Sequence, residues 1–313
     1  MTLTILFSAP DDDWDDYREV LPETLRAVGI DATVTREADA ADVDYIVYAP
    51  NDTLTDFAPF TRAKAVLSLW AGVEKIVTNP TLTQPLCRMV DDGLALGMRD
   101  YVVGHVMRAH LGADRYTRTT APHWDKHVPP LARDRKVAVL GLGELGATCA
   151  EALAALGFNV HGWSRRAKPA DAFPTLTCHH GEGGLTNALA GADVVVTLLP
   201  DTCQTHSILN ADRLSALSHG AAVINPGRGV LIDDEALIAA IKSGQIGSAT
   251  LDVFRVEPLP EDHPFWGVPQ ITITPHIAAA TRPDTASAVI AENIKRGEAG
   301  QDFLHRVDRA AGY

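Results

Sequence analysis

Three residues capable of polar chemistry stand in short segments that each follow an apolar run. They are Arg228 in Asn225-Pro226-Gly227-Arg228-Gly229, Glu257 in Leu251-Asp252-Val253-Phe254-Arg255-Val256-Glu257-Pro258, and His276 in Thr274-Pro275-His276. Taken singly, each has a structural reading: a turn cation, a surface acid before proline, a hydrogen-bonded core histidine. Brought together they suit a reaction on a carbonyl beside a carboxylate. The guanidinium would serve the oxygens, the imidazole the proton, and the carboxylate would orient and charge the imidazole.

A fourth segment, Gly141-Leu142-Gly143-Glu144-Leu145-Gly146, has GxGxxG spacing and lies between an apolar run at 137–140 and a helical period over 145–156. In that context Gly141 permits a tight turn, Gly143 admits a pyrophosphate to the backbone, and Gly146 lets helix and strand pack closely. The helix N-terminus supplies free N–H donors, so the segment reads as a dinucleotide loop. A site for NAD would place Asp or Glu at the end of the next strand, 159–163, to accept from the ribose hydroxyls. Here Ser164, Arg165 and Arg166 follow, with Lys168 nearby. Guanidiniums bind a 2′-phosphate by charge-assisted hydrogen bonds and no carboxylate repels it, so the expected coenzyme is NADPH.

Such loops need strands to carry them. Apolar runs at 3–7, 44–48, 65–69 and 85–90 alternate with helical periods such as 14–28, and a second series runs through 137–140, 159–163, 193–199, 221–225, 248–253 and 271–274. Alternation of this kind gives parallel βα units. A chain of 313 residues is long enough for two cores. The fold class is therefore α/β, with two Rossmann-like doubly wound parallel-sheet domains and an active-site cleft between them. Residues 1–99 with 281–313 are expected to form a substrate-binding domain and 100–280 a dinucleotide-binding Rossmann domain. A helix over 91–111 would cross from one to the other and a last helix over 282–297 would return.

The formal charge of −13 opposes binding to phosphate backbones or anionic lipid, so neither nucleic acid nor membrane is an expected partner. No apolar stretch approaches the roughly 20 residues that span a bilayer, and a signal peptide's basic start is absent, so a cytoplasmic protein is expected. His123 and His127 have the spacing of two ligands on one helix face, but Pro122, Pro129 and Pro130 oppose a helix there, so no metal is expected.

These segments together resemble the D-2-hydroxyacid dehydrogenase family, most closely its glyoxylate/hydroxypyruvate reductase A branch. The resemblance extends over nearly the whole chain. It takes in Leu69-Trp70-Ala71-Gly72-Val73, Met98 with Tyr101, the glycine loop, Trp163-Ser164-Arg165, Leu198-Leu199-Pro200, the Arg, Glu and His segments, and the C-terminal Val307-Asp308-Arg309-Ala310-Ala311-Gly312-Tyr313. It implies that amides around Ala71, Gly72 and Val73 hold a substrate carboxylate and that Arg228 binds carboxylate and keto oxygens. It also implies that Leu199 and Pro200 line the coenzyme, that Asp252 meets the nicotinamide carboxamide, and that His276 gives the proton with Glu257 favouring the imidazolium. The implied substrate is a small 2-keto acid, and the implied assembly is a homodimer built through the crossing helix.

Departures from the family pattern stand at Trp70, where a small residue is expected, at Glu74 in place of Asp, and at Asp100 in place of Glu. Trp70 either walls the pocket or packs under the turn as core. Glu257 argues against formate oxidation, which needs no proton transfer, and the chain has no room for the regulatory domain usual in phosphoglycerate oxidation. Reduction of 2-ketogluconate or another 2-keto acid, or a dinucleotide-sensing binding protein on the same fold, remain the alternatives.

Overall fold

The computed structural model describes residues 2–117, 124, 126–309 and 312. His123 of the histidine pair lies outside them, as do Ala310, Ala311 and Tyr313 of the C-terminal motif. In chain order the first elements are β1 (Leu3–Ser8), α1 (Asp11–Tyr17), α2 (Val20–Ala27), β2 (Ala32–Thr35), β3 (Tyr45–Tyr48), β4 (Ala65–Ser68), β5 (Leu86–Cys87) and α3 (Asp92–Leu111). There follow α4 (Asp114–Thr117), β6 (Lys136–Leu140), α5 (Glu144–Ala155), β7 (Asn159–Ser164), β8 (Thr177–His180), α6 (Gly181–Leu189) and β9 (Val194–Thr197). The last are α7 (Ala211–Ser215), β10 (Ala221–Asn225), α8 (Asp234–Lys242), β11 (Ile246–Leu251), β12 (Ile271–Ile273) and α9 (Pro283–Glu298).

The chain divides into two compact units, 1–94 with 280–313, and 95–279. In the first, five parallel strands stand in the order β2-β1-β3-β4-β5. The first unit's helical packing places Leu21 and Leu25 of α2 and Ile290 and Ile294 of α9 in one core with Ile5, Phe7 and Val47. The other sheet face has its own core of Ile46, Val66, Val73, Val77, Leu82 and Val307. In the second unit seven parallel strands take the order β12-β11-β10-β9-β6-β7-β8, with the chain reversing direction across the sheet between β6 and β9. That reversal is where a doubly wound sheet opens a crevice at its carboxyl ends. Among the described residues no helix is long and apolar enough to cross a membrane, and no group of three or more His, Cys, Asp or Glu could hold a metal ion.

Three differences separate the structure from the sequence expectations. The single helix over 14–28 is two helices, because a continuous one would need a Pro22 N–H to bond Arg18; in α2 that proline stands in the first turn, where no intrahelical donor is required. The run 85–90 pairs with β4 only at Leu86 and Cys87. Strands β2 and β8 lack a continuous apolar signal because both are sheet edges with mostly exposed or half-buried side chains. Central strands behave oppositely: Val137, Val139 and Leu140 of β6 are fully buried, each such side chain contributing about 1.5–3 kcal/mol.

On β7 and β8 the rings of His161 and His179 stack, with Nδ1 of one 2.9 Å from Nε2 of the other. One nitrogen must donate and the other accept, so the accepting ring must be neutral. Burial, then Lys136 and then His179 push the His161 imidazole down to about 4 from its ordinary 6.5, and burial followed by Lys136 lowers His179 as well. Below pH 6.5 the unfolded chain therefore takes up protons that the folded chain refuses, so this pair's contribution is complete above pH 6.5 and declines as pH falls toward 4. Urea unfolding midpoints at pH 7 and pH 4.5 should show a smaller acid loss in His161→Gln than in the unsubstituted protein. Equal losses would contradict the assignment.

Candidate active site

The six β-to-loop junctions that carry the predicted unit 2 residues all lie at the carboxyl ends of its parallel strands. Gly141 follows β6, Ser164 ends β7, Leu199 and Pro200 follow β9, Arg228 follows β10, and Asp252 and Glu257 follow β11, with His276 next after β12. The order β12-β11-β10 sets the His, Glu and Arg loops on neighbouring strands.

His276 Nδ1 lies 2.8 Å from Glu257 Oε2, with the imidazole about half exposed. The other carboxylate oxygen of Glu257 accepts from the Phe254 amide at 2.8 Å, which fixes the carboxylate plane. Among the described residues Nε2 of His276 has no partner. His276 itself adopts φ 55°, a left-handed conformation that an L residue holds only when its surroundings impose it.

Those surroundings centre on Asp252, which is fully buried. Its carboxylate accepts from Thr274 Oγ1 at 2.6 Å, from the Ile277 amide at 2.9 Å and from the Ala278 amide at 2.8 Å, while its carbonyl accepts from the His276 amide at 2.9 Å. Thr274 spends its one hydroxyl hydrogen on Asp252, so the Tyr101 hydroxyl, 2.7 Å away, donates to it. Burial pushes that phenol up to about 12, which keeps the donor protonated. Both of its oxygens accept from the loop of His276, which holds the carboxylate in place at the end of β11. The link from Tyr101 on α3 to Thr274 was not among the expected site contacts; a separation of 173 residues leaves no local signal for it.

Arg228 is half-buried and donates from Nη1 to the Gly227 carbonyl at 2.7 Å. Its turn is held by Asn225, whose amide nitrogen donates to the Arg228 carbonyl and whose oxygen accepts from Thr197 Oγ1 and the Gly227 amide. Gly229 rests on the backbone of Phe254 and Arg255, which ties the Arg228 loop to the loop of Glu257.

At the glycine loop Gly141 has φ 108°, and a Cβ there would overlap the Leu198 carbonyl; one on Gly146 would overlap the Gly141 carbonyl. Around Gly143 there is open space, Glu144 is exposed and Leu145 half-buried, and α5 begins without a side-chain cap. The first amides of α5, with no side-chain cap, thus suit a pyrophosphate. Arg165 and Arg166 are exposed beyond the end of β7, Ser164 Oγ donates to the Arg166 carbonyl at 2.8 Å, and Arg165 Nη1 lies 3.5 Å from Gln204 Oε1. The chemistry of these residues fits a dinucleotide carrying a 2′-phosphate.

In the first unit, Ala71, Gly72 and Val73 follow β4, and among the described residues their amides meet no acceptor. Trp70 is 39% exposed with Lys75 Nζ 5.8 Å from its ring centroid, so it is not core beneath this turn.

The model of the family described as "D-isomer specific 2-hydroxyacid dehydrogenase, NAD binding domain" matches residues 102–278. A glyoxylate/hydroxypyruvate reductase A of Yersinia enterocolitica is 38% identical over 287 residues, covering 89% of this chain and 90% of the relative. A D-isomer specific 2-hydroxyacid dehydrogenase of Xanthobacter autotrophicus Py2, solved with NADPH and MES, is 37% identical with a TM-score of 0.90 and full coverage of both chains. An NADPH-dependent glyoxylate/hydroxypyruvate reductase of Sinorhizobium meliloti, solved with NADP and sulfate, is 30% identical with a TM-score of 0.84, again over the whole of both chains. The chain belongs to the D-isomer specific 2-hydroxyacid dehydrogenase family.

Thr274→Val should leave the Tyr101 hydroxyl without its acceptor and Asp252 with one donor fewer, costing about 1–3 kcal/mol per stranded group. Thr274→Ser should retain the unsubstituted stability. Denaturant unfolding of the two variants checks this, and equal midpoints for valine and serine would refute the network.

Proposed function

We propose that this chain is an NADPH-dependent reductase of small 2-keto acids, converting glyoxylate and hydroxypyruvate to 2-hydroxy acids. The observation that carries the reading is the 2.8 Å contact of His276 Nδ1 with Glu257, with Arg228 on the neighbouring strand's loop. The substrate choice follows the names of the Yersinia and Sinorhizobium relatives, and the coenzyme choice is supported by the complexes of the Xanthobacter and Sinorhizobium proteins.

NADPH, when bound, supplies a hydride to the carbonyl carbon. The chain's own residues do the rest. An ionised Glu257 only accepts, so Nδ1 of His276 carries a hydrogen, and Nε2 of the imidazolium is the nitrogen that hands a proton to the carbonyl oxygen. The neutral ring left behind keeps its Nδ1–H on Glu257 and is ready to be reprotonated. Arg228 draws the keto and carboxylate oxygens with its planar fork, stabilising the charge that develops on the carbonyl oxygen. The amides of Ala71, Gly72 and Val73 receive the carboxylate. Gly143 and the first amides of α5, with Glu144, Leu145 and Gly146, receive the pyrophosphate. Ser164, Arg165 and Arg166 take the 2′-phosphate.

The protein is further proposed to work in the cytoplasm as a homodimer. Large apolar side chains exposed at and beyond the end of α3, Leu111, Tyr116, Val128 and Leu131, support a covered face there.

The test is steady-state reduction of glyoxylate, hydroxypyruvate, pyruvate and 2-ketogluconate with each coenzyme. One or two arginine contacts to the 2′-phosphate should favour NADPH by about 10- to 1000-fold in kcat/KM. The double variant Ser164→Asp, Arg165→Ala should reverse most of that preference, since the phosphate then meets a carboxylate and the ribose of NADH gains an acceptor. Equal efficiency with both coenzymes would sink the coenzyme assignment, and NADPH binding without turnover of any 2-keto acid would favour the sensing protein.

A further inference from the structure

The C-terminal residues have no part in the chemistry described above, yet the first unit uses them closely. The Arg88 amide donates to the His305 carbonyl at 3.1 Å and the Val307 amide to the Leu86 carbonyl at 2.8 Å, with an antiparallel bridge between Cys87 and Arg306. The tail thereby continues the sheet past β5. Val307 is buried in the same apolar cluster as Val73, Ile76, Val77 and Leu82. Arg309 then spreads its guanidinium over three backbone carbonyls of one loop: Nε to Val77 at 3.1 Å, Nη2 to Asn79 at 2.8 Å, and Nη1 to Leu82.

The loop so held begins at the substrate turn. The Val73 carbonyl accepts from the amides of Ile76 at 3.0 Å and Val77 at 2.8 Å, so residues 73–77 form one helical turn whose far end is fixed by Arg309. On the near side, Ser68 Oγ accepts from the Trp70 amide at 3.1 Å, Thr281 Oγ1 donates to the Leu69 carbonyl at 2.7 Å, and the Met89 amide donates to the Trp70 carbonyl at 3.0 Å. The stretch Ala71, Gly72 and Val73 is the part between these anchors, and among the described residues its amides meet no acceptor. Carbonyls in an irregular loop need donors from elsewhere, and a planar guanidinium with five N–H groups serves three divergent carbonyls where an ammonium, a compact point charge, does not.

We propose that Arg309 is a positioning residue of the substrate site: through the carbonyls of Val77, Asn79 and Leu82 it holds the turn whose amides receive the 2-keto acid's carboxylate. The proposal rests on the reading of Ala71, Gly72 and Val73 as the carboxylate site. Loss of Arg309 leaves the turn folded but loosely aimed, which weakens carboxylate binding and spares coenzyme binding, since the glycine loop and the Ser164 to Arg166 stretch belong to the other unit.

The full-length variants Arg309→Met and Arg309→Lys test it, with KM for glyoxylate, kcat at saturation, the Kd for NADPH, and hydrogen exchange of residues 70–82. Arg309→Met should raise KM for glyoxylate about tenfold, with kcat and the NADPH Kd within about twofold of the unsubstituted values, and Arg309→Lys should fall between. Amides in 70–82 should exchange faster in the methionine variant. Unchanged KM with unchanged exchange would overturn the clasp itself. Faster exchange with unchanged KM would overturn the proposal by showing that the turn does not bind the carboxylate. A fall in kcat and folded fraction at constant KM would reduce Arg309 to a structural residue.

Discussion

Asp252 carries its carboxylate wholly out of water at the end of β11, where Thr274 Oγ1 and the amides of Ile277 and Ala278 meet it and its carbonyl takes the amide of His276. A buried charge is tolerated only when hydrogen bonds replace its hydration, and each bond to a charged group contributes roughly 1.5–3 kcal/mol net. Supplying those donors obliges residues 274–278 to wrap around the carboxylate. The wrap puts His276 at φ 55° and turns its ring toward Glu257. The left-handed conformation of His276 thus accompanies the satisfaction of a buried carboxylate. Tyr101 completes the arrangement by holding the Thr274 hydroxyl, so that its hydrogen stays on Asp252.

The parallel sheet of the second unit makes this local solution useful. All of its strands point the same way, so every connecting loop at the carboxyl edge contributes to one surface, and the neighbouring positions of β10, β11 and β12 collect an arginine, a carboxylate and an imidazole that lie far apart in sequence. The reversal of strand order between β6 and β9 leaves room beside them, and the close approach of Gly141 to Leu198 and of Gly146 to Gly141 sets the first amides of α5 at that opening. His276, Arg228 and the glycine loop are therefore placed by one sheet. In the first unit, the turn at Ala71, Gly72 and Val73, whose amides meet no acceptor among the described residues, is held on both sides by hydrogen bonds to its own neighbours.

Much of this was legible in residue order, for identifiable reasons. Strands β6 and β10 are buried on both faces and read as unbroken apolar runs, and the glycine loop is recognisable because it sits between such a strand and a helix. Strands β2 and β8 were not legible, since an exposed edge strand such as Thr177–His180 needs no apolar side chains. The break between α1 and α2 follows from Pro22, a signal present in the sequence but outweighed by the apolar period around it. His276 and Glu257 were individually ambiguous and gained a joint reading only with Arg228, as loops at the ends of successive strands, a reading the family resemblance then sharpened. The interior role of Asp252, the link from Tyr101 to Thr274 and the grip of Arg309 on three carbonyls depend on contacts across long stretches of chain, and no local pattern announces them.

His276, presented by the wrap around Asp252, is the proposed proton donor to the reacting carbonyl. The most direct measurement is turnover of glyoxylate by His276→Ala under saturating NADPH, with NADPH binding titrated separately on the same preparation. Coenzyme should bind at the unsubstituted affinity while kcat falls by about 10²- to 10⁴-fold. Turnover near the unsubstituted rate with coenzyme bound would contradict it.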